Sequence, residues 1–388
     1  MNGIYIHIPY CRQVCYYCDF HFRVAMRDKA AMLAAMKQEM EYRRNYLRLN
    51  GETGRVAADT LYFGGGTPSV LSVGELGMLM REIERHYRLL PDAEITLEAN
   101  PDDLTDDYLS GLRDLGINRL SVGVQSFHDD DLRRLNRRHT AREAYHSVER
   151  AQRKGFGNIS IDLMYGLPAM SSDRWRYCLH TAFSLDVPHL SAYHLTVEPR
   201  TVFGKRQNKG ENFHIAEEDS AAQFDLLADA CEAAGYEHYE ISNFARTGFQ
   251  ARHNTAYWRQ QPYIGIGPSA HSYNGTSRQW NVNNNTRYIE LLTDTPKDEQ
   301  WCEREILSPF DAYNDYILTA LRTSRGVRKD EVRQQFGDAF ADGFVQQAVK
   351  HLRQACIVEH NGSYTLTRKG KFIADGIISD LMMTDDDG

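Results

Sequence analysis

The sequence predicts an α/β fold followed by a small α+β module. Short apolar stretches typical of strands alternate six times with helix-like stretches between residues 3 and 234. This alternation indicates parallel strands with helices packed outside them. From about Tyr288 onward the alternation stops, and helices precede two short strands around Asn361-Gly362, a strong hairpin signal. A doubly wound open sheet is the alternative for the first part.

The elements follow from periodicity and from turn residues. The first strand alternates apolar and polar residues, and Pro9 ends it. The six strands are predicted at 3–8, 60–63, 94–98, 118–124, 158–163 and 189–195. Helices are predicted at 28–49, 75–87, 105–115, 130–135, 141–154, 174–185 and 217–234, then at 311–321, 329–336 and 342–354, with the hairpin at 356–360 and 363–367.

We expect two domains, residues 1–287 and 288–388, the first ending in an extension at about 236–287. The second resembles a winged helix, a fold that often binds DNA. It has no basic recognition stripe, so a structural or substrate-covering role is favoured. We expect the chain to act as a monomer or dimer.

Composition is that of an ordinary soluble protein, with 42% hydrophobic and 25% charged residues. The formal net charge of −8 disfavours nucleic-acid binding. No apolar run is long enough to cross a membrane, and the strand at residue 3 leaves no room for a signal peptide. The four cysteines outside the first 20 residues are widely spaced, and the total is odd, so we expect a reducing, cytoplasmic compartment.

Three cysteines, Cys11, Cys15 and Cys18, follow the first strand within eight residues. Thiolates this close together are typical ligands of a soft metal or an iron–sulfur cluster. A [4Fe–4S] cluster normally takes four thiolates, and Phe20 stands where a fourth might be. One iron is therefore expected to be open to a ligand that is not protein. The alternative is a structural zinc site with His7 or His21 as fourth ligand.

Further polar residues follow the other predicted strands. Gly64-Gly65-Gly66 follows the second strand and lets the backbone approach a ligand, although a tight turn is an equal alternative. Glu98, Gln125 and Asp162 lie at or near the ends of strands three to five. In parallel α/β barrels this end carries the active site. An acid on an apolar strand needs a partner.

The Cys-x3-Cys-x2-Cys spacing after a first strand resembles the radical S-adenosylmethionine (SAM) superfamily. This resemblance implies a partial (β/α)6 barrel with a [4Fe–4S] cluster whose open iron is chelated by SAM. In that superfamily, electron transfer cleaves SAM to a 5′-deoxyadenosyl radical.

Five further segments narrow the resemblance to the HemN/HemW group. They are Tyr5-x-His7-Ile8-Pro9, Gly64-Gly65-Gly66-Thr67-Pro68, Glu98-Ala99-Asn100-Pro101, Gly123-Val124-Gln125-Ser126-Phe127 and Asp162-Leu163-x-x-Gly166-Leu167-Pro168. The resemblance implies a SAM site made of Tyr5, Tyr17, Gly65, Gly66, Thr67, Glu98, Gln125, Arg137 and Asp162. Without it, Arg137 would be most simply a cation on a helix surface.

Two features favour the heme chaperone branch, the HemW family, over the coproporphyrinogen dehydrogenases. The dehydrogenases carry a cysteine where this chain has Phe20. The chaperones carry His-Asn-x-x-Tyr-Trp, present here as His253, Asn254, Tyr257 and Trp258. Neutral imidazole is a good heme ligand, and aromatic rings can stack on a macrocycle, although such residues are more often packing.

The resemblance implies a chaperone that binds heme and delivers it to heme proteins such as respiratory enzymes, some of them membrane-associated. Oxidative decarboxylation of coproporphyrinogen III is the enzymatic alternative, and a metal-stabilised structural protein without SAM is the third.

Overall fold

A computed structural model describes residues 2–48, 54–293 and 300–384. The strands are β1 (Gly3–Ile8), β2 (Val56–Gly65), β3 (Tyr87–Ala99), β4 (Arg119–Gln125), β5 (Asn158–Tyr165), β6 (His189–His194), β7 (Glu237–Glu240), β8 (Asn243–Ala245), β9 (Tyr263–Ile266), β10 (His271–Tyr273), β11 (Ser277–Asn281), β12 (Cys302–Ile306), β13 (Val327–Arg328), β14 (Ile357–His360) and β15 (Ser363–Leu366).

Helices follow most of the strands. They are α1 (Lys29–Tyr42), α2 (Val73–His86), α3 (Asp106–Asp114), α4 (Asp129–Arg134), α5 (Ala141–Arg153), α6 (Ser172–Ser184), α7 (Val202–Gln207), α8 (Glu217–Ala233), α9 (Arg252–Trp258), α10 (Asn285–Thr293), α11 (Pro309–Leu321), α12 (Lys329–Phe336), α13 (Asp338–Arg353), α14 (Arg368–Phe372) and α15 (Ala374–Asp380).

The large sheet is built around six parallel strands in sequential order, β1 to β6. This order confirms the predicted partial (β/α)6 barrel. A doubly wound sheet is excluded because its strand order would reverse at a switch point. Further strands extend the sheet at both ends. β9 runs parallel to its partner β1, and β8 runs antiparallel to its partner β6. The full strand order is β12-β11-β10-β9-β1-β2-β3-β4-β5-β6-β8-β7.

The two faces of the parallel strands differ in chemistry. Leu97, Leu120 and Ile161 are fully buried on the face that packs against the helices. Alternate positions, such as Glu98 and Asp162, are polar and face the inside of the barrel, because side chains along a strand point to opposite faces in turn. The barrel interior is therefore a polar space surrounded by an apolar shell.

The first helix is shorter than predicted. It ends at Tyr42, and residues 43–47 form turns, whereas the prediction continued to Leu49, which lies outside the described residues. Arg43 leaves the helical conformation and is buried, where its guanidinium bonds to Glu39 and to the main-chain oxygen of Gly265. This buried ion pair joins α1 to the β9 segment.

The C-terminal part has a core of its own. Helices α11 to α15 pack against a small sheet of order β13-β15-β14, and β14 and β15 form the predicted hairpin. The domain boundary predicted at 287/288 stays a prediction. The large sheet continues beyond that point, because β12 pairs with β11.

Across residues 2–48, 54–293 and 300–384, no helix combines the length and apolar composition needed to cross a membrane.

Candidate functional site

A cavity of about 590 Å³ opens at the carboxyl ends of β1 to β6. Strands β2 to β6 and the loop that follows β1 contribute to its wall, because the parallel strands end at the same edge of the sheet. The residues that line it include Cys11, Cys15, Tyr17, Cys18, Phe20, Gly65, Gly66, Thr67, Glu98, Asn100, Ser121, Gln125, Arg137, Asp162, Met164, Tyr193 and His194.

The loop that carries the cysteines is fixed at both ends by main-chain hydrogen bonds. The amide of Cys11 donates to the Arg23 oxygen at 3.0 Å, and the Arg23 amide donates to the Pro9 oxygen at 2.9 Å. In the middle of the loop, the Tyr16 amide donates to the Leu135 oxygen at 3.1 Å. The three thiols are therefore presented from an ordered backbone.

The surroundings of the thiols fit an iron–sulfur cluster. The Thr67 hydroxyl donates to Cys11 Sγ at 3.2 Å, and Arg137 Nη1 donates to Cys15 Sγ at 3.3 Å. Burial raises the pKa of Cys11 to about 12 and the pKa of Cys18 to about 11, so without metal these thiols keep their protons. Metal binding must displace those protons. Three sulfur donors at the edge of a roomy cavity suit a cluster with one open iron.

The geometry disfavours the zinc alternative. The two histidines considered as fourth ligands have other partners. His7 Nε2 lies 2.9 Å from the main-chain oxygen of His21, and His21 Nε2 lies 2.6 Å from Asn285 Oδ1.

The glycine run passes directly beside the cysteine loop. Gly65 has a φ of +111°, a conformation that side chains rarely adopt. A Cβ on Gly66 would lie 2.6 Å from the main-chain oxygen of Tyr10 and 2.9 Å from that of Ile8. The close approach of the glycine run to the cysteine loop therefore requires glycine at position 66, and the predicted contact with a ligand stays a prediction.

Two carboxylates face the cavity from β3 and β5. Tyr62 donates to Glu98 Oε1 at 2.8 Å, and Ser121 Oγ lies 3.3 Å from Asp162 Oδ1. Burial raises the pKa of Glu98 to about 7 and the pKa of Asp162 to about 6. The negative charge of Asp162 also opposes ionisation of Glu98, and a cationic ligand would relieve that repulsion.

Gln125 and Arg137 complete the wall beside the cysteines. Gln125 ends β4 with a φ of +68°, an unusual conformation for a residue other than glycine. Arg137 Nη2 donates to Asn100 Oδ1 at 2.6 Å and to the Gly123 oxygen at 2.7 Å. Arg137 is therefore not the surface cation that its helical context indicates; it points into the cavity.

The structure brings the predicted SAM residues together, with one exception. Tyr17, Gly65, Gly66, Thr67, Glu98, Gln125, Arg137 and Asp162 all line the cavity. Tyr5 does not line it; its ring stacks on that of Tyr62, with centroids 6.1 Å apart. Its hydroxyl lies 3.3 Å from His7 Nδ1.

The predicted heme motif lies elsewhere. All four of its residues lie in α9, and none of them lines the cavity; they are His253, Asn254, Tyr257 and Trp258. His253 is 1% exposed, with Nδ1 at 2.8 Å from Thr60 Oγ1 and Nε2 at 2.7 Å from the Tyr257 hydroxyl. Both ring nitrogens of His253 therefore have protein partners in this structure, and its predicted contact with heme stays a prediction.

Several cavity residues were not predicted. Ser121, Met164, Tyr193 and His194 extend the wall from β4 to β6. The alternation of side chains along the strands could have identified two of them, since Ser121 and Met164 point to the same inner face of the sheet as Asp162. Phe20 was predicted only as a missing cysteine; it lies at the rim with 74% of its surface exposed.

Two family models match this chain. The model of the radical SAM superfamily matches residues 5–180, and that of the HemN C-terminal domain matches residues 307–373. The first match includes the cysteine loop and every residue of the predicted SAM site.

Curated relatives resemble the chain over nearly its whole length. A protein of Bacillus subtilis (strain 168) named heme chaperone HemW is 36% identical over 380 residues, covering 97% of this chain and 98% of that protein. A protein of the same name from Escherichia coli (strain K12) is 32% identical, covering 96% and 98%. Among solved structures, coproporphyrinogen III oxidase (HemN) from Escherichia coli superposes with a TM-score of 0.84 at 23% identity, covering 98% of this chain and 90% of that one. That likeness concerns the fold.

Proposed function

Because the chain belongs to the radical SAM superfamily and, within it, to the HemW family, we propose that it binds heme and transfers it to acceptor heme proteins. The observation that carries this proposal is the near full-length relationship to proteins named heme chaperone HemW. Phe20 supports the same choice, since the dehydrogenases of the wider group resemble this chain but carry a cysteine at that position.

We further propose that Cys11, Cys15 and Cys18 hold a [4Fe–4S] cluster. SAM would occupy the cavity beside it, against Tyr17, Gly65, Gly66, Thr67, Glu98, Gln125, Arg137 and Asp162. The cationic sulfonium and amino groups of SAM complement the two carboxylates, and its own carboxylate complements the Arg137 guanidinium. When bound, the cluster supplies one-electron chemistry to SAM.

The acceptors would be heme proteins, respiratory enzymes among them, and we place the protein in the cytoplasm. Cysteine thiols stay reduced most readily in a reducing compartment, which supports this location. The contacts predicted between heme and Asn254, Tyr257 and Trp258 stay predictions.

Hemin titration of the purified protein tests the proposal. We expect a saturable shift of the Soret band with and without the reconstituted cluster. Heat-unfolded protein serves as the control. Absence of a saturable Soret shift in both forms would refute heme binding.

The same preparation tests the enzymatic alternative. Anaerobic incubation with coproporphyrinogen III, SAM and a reductant should yield no protoporphyrinogen at a catalytic rate. Catalytic turnover would instead assign the chain to the coproporphyrinogen III oxidase activity that its structural neighbour carries in its name.

A further inference from the structure

The helix α9 closes the barrel at the end opposite the cavity. The amides of Arg252 and His253 donate to the Glu94 carboxylate at 3.1 and 3.0 Å. The His253 ring bonds to Thr60, which is level with Glu94 and with the start of β1. His253 is therefore attached to β2 and β3 at one level of the barrel interior, below Tyr62 and Glu98.

The imidazole of His253 has no free nitrogen. One nitrogen carries the proton and donates, and the other accepts, because Thr60 and Tyr257 hydroxyls can each play either role. Burial lowers the pKa of His253 to about 3, so the ring is neutral at physiological pH. An axial ligand of heme iron needs a free lone pair and open space for a flat macrocycle, and this ring has neither.

The face of the same ring supports a tyrosine. The rings of His253 and Tyr62 stack with centroids 5.0 Å apart and planes inclined by 24°. Above the stack, a Cβ on Gly64 would lie 2.9 Å from a ring carbon of Tyr62. The phenol is thus confined between the backbone of β2 and the imidazole, with little freedom to tilt.

The confined phenol acts on the cavity through one hydrogen bond. Tyr62 donates to Glu98 Oε1, and Glu98 lines the cavity. Burial and the Glu98 charge raise the pKa of Tyr62 well above its usual value, so the hydroxyl keeps the proton that it donates. A displacement of the Tyr62 ring would therefore rotate or release the carboxylate.

We propose that His253 is a positioning residue that fixes Tyr62, and through Tyr62 the Glu98 carboxylate, in the SAM-binding arrangement, and that it is not a heme ligand. The inference rests on the proposed SAM site. It gives the His-Asn-x-x-Tyr-Trp segment a role in the shape of the cofactor pocket, on the opposite side of the stacked rings from the cluster.

A double-mutant cycle tests this role. The variants are His253→Ala, Tyr62→Phe and their combination, with exposed His146→Ala as the matched histidine control. Each cluster-reconstituted protein is measured for iron content, for SAM affinity by equilibrium dialysis, and for the SAM-induced change in the EPR spectrum of the reduced cluster. Each single variant should bind SAM about tenfold more weakly, the effect of losing one hydrogen bond to a charged group.

The combination should be no weaker than the weaker single variant, because both substitutions break the same chain of contacts. Additive losses would overturn the proposal, since they would mean that the two residues act independently. Unchanged SAM affinity in His253→Ala would overturn it as well.

Hemin titration of the same proteins separates positioning from ligation. The Soret position and the titration midpoint should match those of the wild type in all variants. Loss of the Soret shift in His253→Ala alone, with SAM affinity retained, would assign His253 to the heme instead.

Thr60→Val keeps the test valid if His253→Ala does not fold. It leaves His253 in place but removes the hydroxyl that bonds to its Nδ1. A positioning role therefore predicts weaker SAM binding and unchanged hemin binding. A ligand role predicts unchanged SAM binding and altered hemin binding. If the wild type itself binds no hemin, the proposed function fails, and the SAM measurements still decide the role of His253.

Discussion

Glu98 and Asp162 face each other across the cavity as partly buried acids. Their raised pKa values, about 7 and about 6, mean that the empty pocket disfavours their ionised forms. Between the usual pKa of 4.5 and the folded value, the folded chain holds a proton on Glu98 that the unfolded chain has released. The free energy of unfolding must therefore fall as the pH rises through this interval.

Glu98→Gln should stabilise the ligand-free protein at pH 8 by about 1–3 kcal/mol, because the neutral amide avoids a buried charge. At pH 4.5 the gain should be close to zero, since Glu98 is then protonated in the folded state. Urea unfolding at both pH values measures the difference. Exposed Glu84→Gln is the control, and an equal gain at both pH values would contradict the expectation.

The sequence was sufficient to predict that the three cysteines and the two acids lie at one site, but it did not predict the position of His253. The cysteine spacing is local, and Asp162 between two apolar residues signals a special environment without further context. The position of His253 depends on a reversal of chain direction: β8 runs antiparallel to β6 and leads α9 to the opposite end of the barrel. A motif of one histidine and two aromatic residues contains no information about that reversal.

Among the elements, strand ends were harder to predict than strand centres. β3 begins at Tyr87 and continues through Pro91, whereas the sequence predicts a strand only from residue 94. Pro91 and Asp92 are typical of a loop. The pairing of β2 with β3 accommodates them through an irregularity in register between Ala58 and Thr60. Such irregular pairing depends on the partner strand, which a single stretch of sequence does not specify.

The junction of β2 with the cysteine loop gives a prediction about elements. Gly66→Ala places a methyl group against the main-chain oxygens of Ile8 and Tyr10, neither of which can rotate away. We expect destabilisation by about 1–3 kcal/mol, as for other overpacked sites. The bound iron after reconstitution should fall as well, because the glycine run and the cysteine loop would be forced apart.

Gly74→Ala provides the matched control. It lies in α2, where an added Cβ meets only the Ser72 hydroxyl at 4.0 Å. It should raise stability by about 0.5–1 kcal/mol and leave iron content unchanged. Thermal unfolding and iron analysis of the two variants side by side measure both effects. If Gly66→Ala bound as much iron as the wild type, the predicted dependence of iron binding on the contact between the glycine run and the cysteine loop would be wrong.

At the scale of the whole molecule, two hydrophobic cores meet through both polar and apolar contacts, among them the ring contact of Phe224 with Phe372. The barrel core and the C-terminal core form separate clusters. Between them, Arg368 bonds to Asp229 and to Glu232, and the Ile241 amide donates to the Arg322 oxygen at 3.0 Å. Exposed ion pairs of this kind contribute little to stability.

We therefore expect two transitions in scanning calorimetry of the full chain. SAM should raise the free energy of unfolding of the barrel alone in the cluster-loaded protein, by about 2.7 kcal/mol at a hundredfold excess over its Kd. Only the midpoint of the barrel transition should therefore rise. The other transition should keep its midpoint. A single transition that moves as a whole with SAM would mean that the two cores unfold together.

The anchoring of the cysteine loop has a consequence for damage and repair. Since protein hydrogen bonds hold residues 11–23 at both ends and at Tyr16, the shape of the loop does not depend on the iron that it receives. If oxygen destroys the cluster, the loop should keep the conformation that binds a new one. Amide hydrogen exchange in this loop should accordingly change little when the iron is removed, and the stripped chain should accept a new cluster without refolding.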